Sequence, residues 1–281
     1  MKYSQIIERM GRVRALTVGD AMIDHYIHGR VERLCPEGPV PIFIPEGKMD
    51  NRNGGAGHVA DQLEALCETS WTFHGKPISE KTRFMVGSHL LLRVDEDKVP
   101  AATDAQRIAG LERSLIDAKY DVIVLSDYAK GWLSHTFCRW IIKYAKEHEI
   151  PVIVDPKGRD WDKYEGCTLI CPNVHELKAW GGENVAQFPF MLLKCGAHGL
   201  TLYQPSGAYE FPAKAKLVFD VTGAGDIVTA VAAATIGAGG TLMQAATLAN
   251  LAAGWSVGEI GTVVCKKDTL LQLIDETGVT E

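Results

Sequence analysis

Two short runs, Asp121-Val-Ile-Val-Leu125 and Pro151-Val-Ile-Val-Asp155, constrain this chain more than any other feature. A strand with one face in water alternates apolar and polar residues, whereas an unbroken apolar run is buried on both faces. Between the two lies a helical pattern, Ser134–Glu149, with Ser134 placed to cap its first turn. Strand, crossover helix and strand in that order require a parallel sheet with helices on both sides. Arg14-Ala-Leu-Thr-Val-Gly19 is a third run of the same kind. Val59, Leu63 and Leu66 mark one face of a helix, as do Ile108, Leu111 and Leu115. With 281 residues, 46% hydrophobic and 23% charged, the pattern predicts a single α/β domain over residues 1–281 with a mainly parallel central sheet.

Residues 26–45 break the alternation. Tyr26–Arg33 and Pro39–Ile44 follow period two around a turn with proline and glycine, which predicts a small β-hairpin at an exposed sheet edge. A short polar helix is expected near Ser4–Arg12. Ile227–Gly258 carries no charged side chain, but Gly237-Ala-Gly-Gly240 splits it into halves too short to span a bilayer. Two buried helices are expected there, and no membrane partner. Lysine and arginine number 29 against 35 acidic residues, a net charge of -6, so nothing offers a basic surface to nucleic acid. The 7 cysteines form no C-x-x-C pair, and the N-terminus has no apolar run of the kind that directs export. A reducing, cytoplasmic setting is expected.

Parallel sheets bind ligands beyond the carboxyl ends of their strands. Polar residues gather at those ends: Gly19-Asp20, Ser126-Asp127-Tyr128, Asp155-Pro156-Lys157 and Cys171-Pro172-Asn173. The most informative segment is Asp220-Val-Thr-Gly-Ala-Gly-Asp226, immediately before the long uncharged stretch. The first N–H groups of a helix lack intrahelical partners and its dipole is positive there, so an anion is favoured beside Gly223, Ala224 and Gly225. Asp226, in the first turn, is then placed to accept the proton of an attacking hydroxyl, the arrangement phosphoryl transfer requires. A second reading fits the same residues: Thr222 caps the helix, the glycines make the turn and Asp226 complements the dipole. A further glycine cluster, Asn53-Gly-Gly-Ala-Gly-His-Val-Ala60, opens another helix. There His58 is either a ligand for a sugar hydroxyl or a helix-terminal histidine with no ligand.

These two glycine motifs, in this order on an alternating α/β chain, resemble those of the ribokinase (PfkB) family of carbohydrate kinases. Longer stretches at 18–26 (VGDAMIDHY), 33–41 (RLCPEGPVP), 125–131 (LSDYAKG), 154–158 (VDPKG) and 171–176 (CPNVHE) are similar to the family's heptose 7-phosphate kinases. The resemblance covers nearly the whole chain. It implies a ribokinase-like three-layer sandwich in which the 26–45 hairpin is a lid that pairs two subunits into a homodimer. It implies a sugar kinase using ATP and Mg²⁺ that phosphorylates the C1 hydroxyl of heptose 7-phosphate. A kinase for another sugar or sugar phosphate, and a homologue that binds without turnover, are the alternatives.

Carried over residue by residue, the resemblance makes Asp226 the base and Gly223, Ala224 and Gly225 the anion hole. Asp20, Asp24, Gly54, Gly55 and His58 would hold the sugar. Lys157, Asn173, Glu176, Lys194, Gly196, Gly199 and Asn250 would hold the nucleotide, with Glu176 meeting Mg²⁺ through water. Asp220 would lie at a monovalent-cation site for K⁺. Arg83, Arg93 and Lys130 are the candidates for the 7-phosphate, because a dianion needs direct cationic contact. Each is also a candidate surface charge. Four departures stand out. Residues 67–81 are far shorter than the strand and helix of relatives, and a second shortening follows Trp180. His58 stands where relatives have Asn, and Lys194-Cys195-Gly196 replaces a Thr/Ser-type loop.

Overall fold

The computed structural model describes residues 1–182, 187–214, 218, 220–259 and 262–279. The shortening expected after Trp180 runs into 183–186 and lies outside them, as does Phe219. In chain order the elements are α1 (Tyr3–Met10), β1 (Arg14–Gly19), β2 (Ala21–Leu34), β3 (Pro41–Pro45), β4 (Asp50–Gly55), α2 (Ala56–Leu66), β5 (Thr69–His74), β6 (Ser79–Val86) and β7 (His89–Glu96). There follow α3 (Asp104–Asp117), β8 (Val122–Ser126), α4 (His135–Glu147), β9 (Val152–Asp155), β10 (Leu169–Ile170), α5 (Val174–Trp180), β11 (Met191–Lys194), β12 (Leu200–Gln204) and β13 (Gly207–Phe211). Helices α6 (Ala224–Gly237), α7 (Leu242–Ser256) and α8 (Lys267–Thr277) complete the chain.

Eight strands form the main sheet in the order β13-β12-β11-β10-β9-β8-β1-β5. All neighbours from β5 to β11 are parallel, and β12 and β13 add an antiparallel edge. Alternation within the apolar strands explains why both faces are covered. Val122 and Val124 enter a core built with α1, α2, α6, α7 and α8, while Ile123 and Leu125 enter the opposite core with α3 and α4. The result is the three-layer arrangement expected. Helix α1 is not the polar helix expected near Ser4–Arg12, because Ile6, Ile7 and Met10 are buried in the first core.

The uncharged stretch forms α6 and α7, broken at Gly237–Gly240 as expected. Helix α6 is buried continuously from Asp226 to Thr235. Its small residues let it lie close to the sheet: a Cβ on Gly237 would stand 2.9 Å from Val13 Cγ1. No helix among the described residues is long and apolar enough to cross a membrane.

The second sheet is larger than the hairpin expected at 26–45. Strand β2 begins at Ala21, as a continuation of the chain leaving β1, and pairs with β3 and β4 antiparallel and with β6 parallel, β7 completing the sheet. Strand β4, Asp-Asn-Arg-Asn-Gly-Gly, has turn composition and becomes a strand only because β2 supplies its partners. The shortened segment keeps its strand, since β5 pairs with β1 along the whole of Arg14–Gly19. The chain then reaches β6 without an intervening helix, leaving Trp71 on this edge strand 61% exposed.

The parallel pairing of β1 with β8, Gly19 opposite Ser126, leaves no room for a side chain at Gly19, where a Cβ would lie 2.0 Å from the Ser126 carbonyl oxygen. Gly19→Ala is therefore expected to cost about 3 kcal/mol of stability, at the upper end of overpacking penalties. Urea denaturation checks this.

Candidate active site

The carboxyl ends of β8, β9, β10 and β11 converge on the N-terminus of α6 around a cavity of about 190 Å³. Its lining includes Tyr128, Asp155, Asn173, Lys194, Gly225 and Asp226. A second cavity of about 520 Å³ opens from the same floor, sharing Asn173, Lys194 and Gly225. Three of the four strand ends marked out in the sequence, those after β8, β9 and β10, thus meet the glycine motif at one place, and the end of β1 at Gly19-Asp20 does not.

Helix α6 starts at Gly223, which caps it with φ of 79°, a left-handed conformation that favours glycine. Thr222 makes no capping bond; its own N–H donates to Asp220 Oδ1 at 2.9 Å. The Ala224 N–H turns back to the Val221 carbonyl, so it is not part of an open anion hole. The N–H groups of Gly223, Gly225 and Asp226 have no acceptor among the described residues, and these are the groups free for an anion. A Cβ on Gly223 would come within 2.5 Å of His58 Cε1.

Asp226 is buried but chemically engaged. Its Oδ1 accepts from the Tyr128 hydroxyl at 2.6 Å, and its Oδ2 lies 2.9 Å from His58 Nδ1. His58 therefore faces the expected base rather than an open sugar pocket. Burial, reinforced by the Asp226 charge, holds the Tyr128 hydroxyl well above its ordinary pKa, so it remains a donor.

Lys194 Nζ reaches Asp155 Oδ1 at 2.7 Å at the end of β11, and Thr229 Oγ1 donates to the other Asp155 oxygen at 3.3 Å. Burial pushes the Asp155 carboxyl up to about 6 against the opposing charge of Lys194. Burial lowers the Lys194 ammonium, but the Asp155 and Glu176 charges outweigh it and its pKa is raised. Asn173 and Glu176 form a capping box on α5, each side chain accepting from the other's N–H, and Glu176 Oε1 also accepts from Lys157 at 2.8 Å. No group of three or more His, Cys, Asp or Glu among the described residues is placed to hold a metal ion. Such a lining suits a magnesium ion carried mainly by phosphates and water. Glu176, with one carboxylate oxygen on Lys157 and the other on a backbone N–H, fits as a ligand through water.

The expected sugar ligands separate. Asp20 points into the protein, its carboxylate accepting from the N–H groups of Tyr128, Lys130 and Trp132, each at 3.0 Å. It holds the loop after β8 rather than a sugar, and burial raises its pKa against those bonds. Asp24 accepts from Arg83 Nη1 at 2.6 Å, both largely buried beneath the second sheet beside Gly54. Gly55 ends β4 with φ of 59° and caps α2. Arg93 pairs with Asp95 near the surface and Lys130 with Asp97 at 2.5 Å. Lys81, not anticipated from the sequence, makes no ion pair among the described residues. It lies half-buried 5.9 Å from the Tyr128 ring, and burial lowers its ammonium pKa.

Gly196, Gly199 and Asn250 line the larger cavity, and Asn250 Nδ2 donates to the Pro212 carbonyl at 2.8 Å. Lys157 and Glu176 border the smaller one. Tyr128 and Asp155 were visible in the sequence as strand-end residues, but their partners were not. Gln62, bonded to His58, carried no signal beyond lying one turn after it.

Residues 100–269 match the family described as pfkB family carbohydrate kinase. Among curated proteins, the bifunctional protein HldE of Paramagnetospirillum magneticum is 35% identical, over 99% of this chain and 67% of that protein. The chain spans about two thirds of the length of the curated relatives it matches. Among solved structures, Arabidopsis thaliana ribokinase complexed with ribose and ATP aligns at a TM-score of 0.65 and 18% identity, over 94% of this chain and 99% of that one. Phosphofructokinase-2 from Escherichia coli in complex with potassium aligns at 0.70 and 16% identity, over 96% and 100%. These two likenesses are of fold.

Replacing Asp20 by Ala would leave three N–H groups without their acceptor, that of Trp132 buried and those of Tyr128 and Lys130 partly buried. Each such loss costs about 1–3 kcal/mol. Asp20→Ala is expected to lower stability by more than about 3 kcal/mol and to speed hydrogen exchange at the amides of Tyr128, Lys130 and Trp132. Unchanged protection at those amides would contradict the assignment.

Proposed function

Because this chain belongs to the pfkB family of carbohydrate kinases and so is an ATP-dependent phosphotransferase acting on a hydroxyl group, we propose that it phosphorylates the C1 hydroxyl of heptose 7-phosphate. The product is the 1,7-bisphosphate. The observation that carries this reading is Asp226, a buried carboxylate flanked by the free N–H groups of Gly223 and Gly225 where the two cavities meet. The acceptor's proton passes to Asp226, its oxygen bonds to the γ-phosphorus of ATP, and the bond to the ADP oxygen breaks. The N–H groups take up charge on the transferred group. Asn173 and Glu176 would hold Mg²⁺ through water, and the ion supplies neutralisation of the phosphates.

The choice of heptose 7-phosphate rests on the motif resemblance. Lys81, Arg83 and Lys130 lie toward the acceptor side; of these Lys81 has an ammonium with no carboxylate on it among the described residues, which suits a phosphorylated sugar. The second sheet would close over the acceptor and exclude water. Potassium near Asp220 is part of the reading, supported by the potassium complex of phosphofructokinase-2. All seven cysteines are unpaired, which suits a reducing, cytoplasmic setting.

We also propose a homodimer through the lid. Its support is β7, an edge strand with Leu90, Leu91, Leu92 and Val94 exposed. Ile42, Phe43 and Ile44 of β3, within the 26–45 hairpin expected to pair two subunits, are only partly exposed, and Phe43 packs on Phe84. Light scattering is expected to give twice the chain mass, and Leu92→Asp is expected to return it to one.

ADP release with Mg-ATP and a panel of free and phosphorylated sugars tests the reaction. Heptose 7-phosphate is expected to give the highest kcat/KM, and Asp226→Asn to lose about 10³-fold in kcat. Calorimetric binding of ATP and sugar without ADP formation would favour a non-catalytic homologue.

A further inference from the structure

Neither oxygen of the Asp226 carboxylate is free, and its two donors are unlike. Tyr128 borders the cavity, whereas His58 lies behind the carboxylate at 4% exposure. The hydrogen-bond polarity behind His58 is set from its far end. The Cys265 N–H donates to Gln62 Oε1 at 2.9 Å, which turns the Gln62 amide nitrogen toward the Val263 carbonyl at 2.5 Å and His58 Nε2 at 3.0 Å. An amide nitrogen only donates, so Nε2 must accept and the ring proton sits on Nδ1, aimed at Asp226 Oδ2. Every group in this chain is satisfied by the neutral imidazole in that one tautomer.

We propose that His58 is a positioning residue for phosphoryl transfer: a neutral imidazole, its tautomer set by Gln62, that pins Asp226 Oδ2 and leaves Oδ1 on the cavity side to take the acceptor's proton, with protonation of His58 switching turnover off. This rests on the kinase reading above. Oδ1 keeps a lone pair beyond the one used by Tyr128, and Tyr128 does not compete as a base because its hydroxyl stays protonated. An imidazolium would bind the carboxylate as an ion pair and make it a poorer proton acceptor. It would also bring an Nε2–H against the Gln62 amide, so that only the Val263 carbonyl remained to accept it.

The groups facing the ring are Asp226 on α6, Asp61 and Gln62 on α2, and Val263 and Thr262 before α8, with Tyr128 beyond the carboxylate. Burial lowers the imidazole pKa, but the bond to Asp226 and its charge outweigh burial and leave it above the ordinary histidine value. The ion-pair partner therefore moves the switch upward from where an ordinary histidine would place it, toward neutral pH rather than away from it. His58 Cε1 also packs against the α carbon of Gly223, where a Cβ would stand 2.5 Å away, so moving the ring disturbs the anion hole as well as the base.

The test follows kcat and KM against pH for the parent, His58→Ala, His58→Asn and Gln62→Glu, with whichever acceptor the sugar panel identifies, alongside ¹⁵N NMR of the imidazole. His58→Ala is expected to lower kcat about tenfold or more, with KM for ATP and acceptor within about twofold. His58→Asn, whose amide N–H stands in for Nδ1–H, is expected to recover most of that loss and to lack the acid limb. Gln62→Glu gives Nε2–H an acceptor and is expected to move the acid limb up by about one pH unit or more. In the parent, NMR is expected to show the proton on Nδ1. Should His58→Ala not fold, the Asn and Glu variants carry the test. A His58→Ala profile that superimposes on the parent, equal impairment of the Ala and Asn variants, or a proton found on Nε2 overturns this inference and leaves the kinase reading standing. Failure of the parent with every acceptor overturns both.

Discussion

Burial of the uncharged helix α6 is the constraint on which the rest depends. Its continuous buried run from Asp226 to Thr235 fixes its axis against the sheet and α2, so its N-terminus has no freedom to move away from the strand ends. The unsatisfied N–H groups of its first turn then become a fixed patch of positive potential facing a cavity. A chain that placed charge in the middle of α6 would lose that axis, and the anion site with it.

The second physical theme is how the acidic groups around the cavity are compensated. Asp127, Asp155, Glu176 and Asp226 all border it. The first three each meet a lysine: Lys163 at 2.6 Å, Lys194 at 2.7 Å and Lys157 at 2.8 Å. Asp226 alone among them meets Tyr128 and His58 instead, and no lysine or arginine among the described residues. A carboxylate locked to a cation is a poor proton acceptor, whereas one held by hydrogen bonds keeps its orientation and its capacity to take a proton. Lys157 and Lys194 have a second consequence: they bring positive charge to the lining of the cavity proposed for the ATP phosphates.

The side proposed for the acceptor is organised by the second sheet. Strand β2 leaves the main sheet at Asp20 and carries Asp24 and Tyr26 outward, where Arg83 from β6 closes on both. That sheet is built from strands lying between Ala21 and Glu96, and β6 is delivered to it directly after β5 with no intervening helix. Trp71 on the edge strand β5 is left exposed there.

Local patterns were enough to identify the parallel α/β class, the two buried helices at 227–258 and the Asp220–Asp226 turn. Each of these depends on residues close in sequence: apolar runs, a glycine break, an acid in a first helical turn. Pairings across the fold were beyond the reach of such patterns. Asp20 and Asp226 look alike in sequence, each an acid beside a glycine at an element boundary. One binds N–H groups more than a hundred positions away and the other meets a histidine 168 positions away. Strand β4 has the composition of a turn, and His58 the spacing of a simple helix-end residue. The chain alone determined which side chains sit at strand ends and helix starts, because backbone sterics and apolar periodicity are local. Which of those side chains face each other, and so which carboxylate is left uncompensated by a cation, was decided only when the sheet and α6 brought them within hydrogen-bond distance.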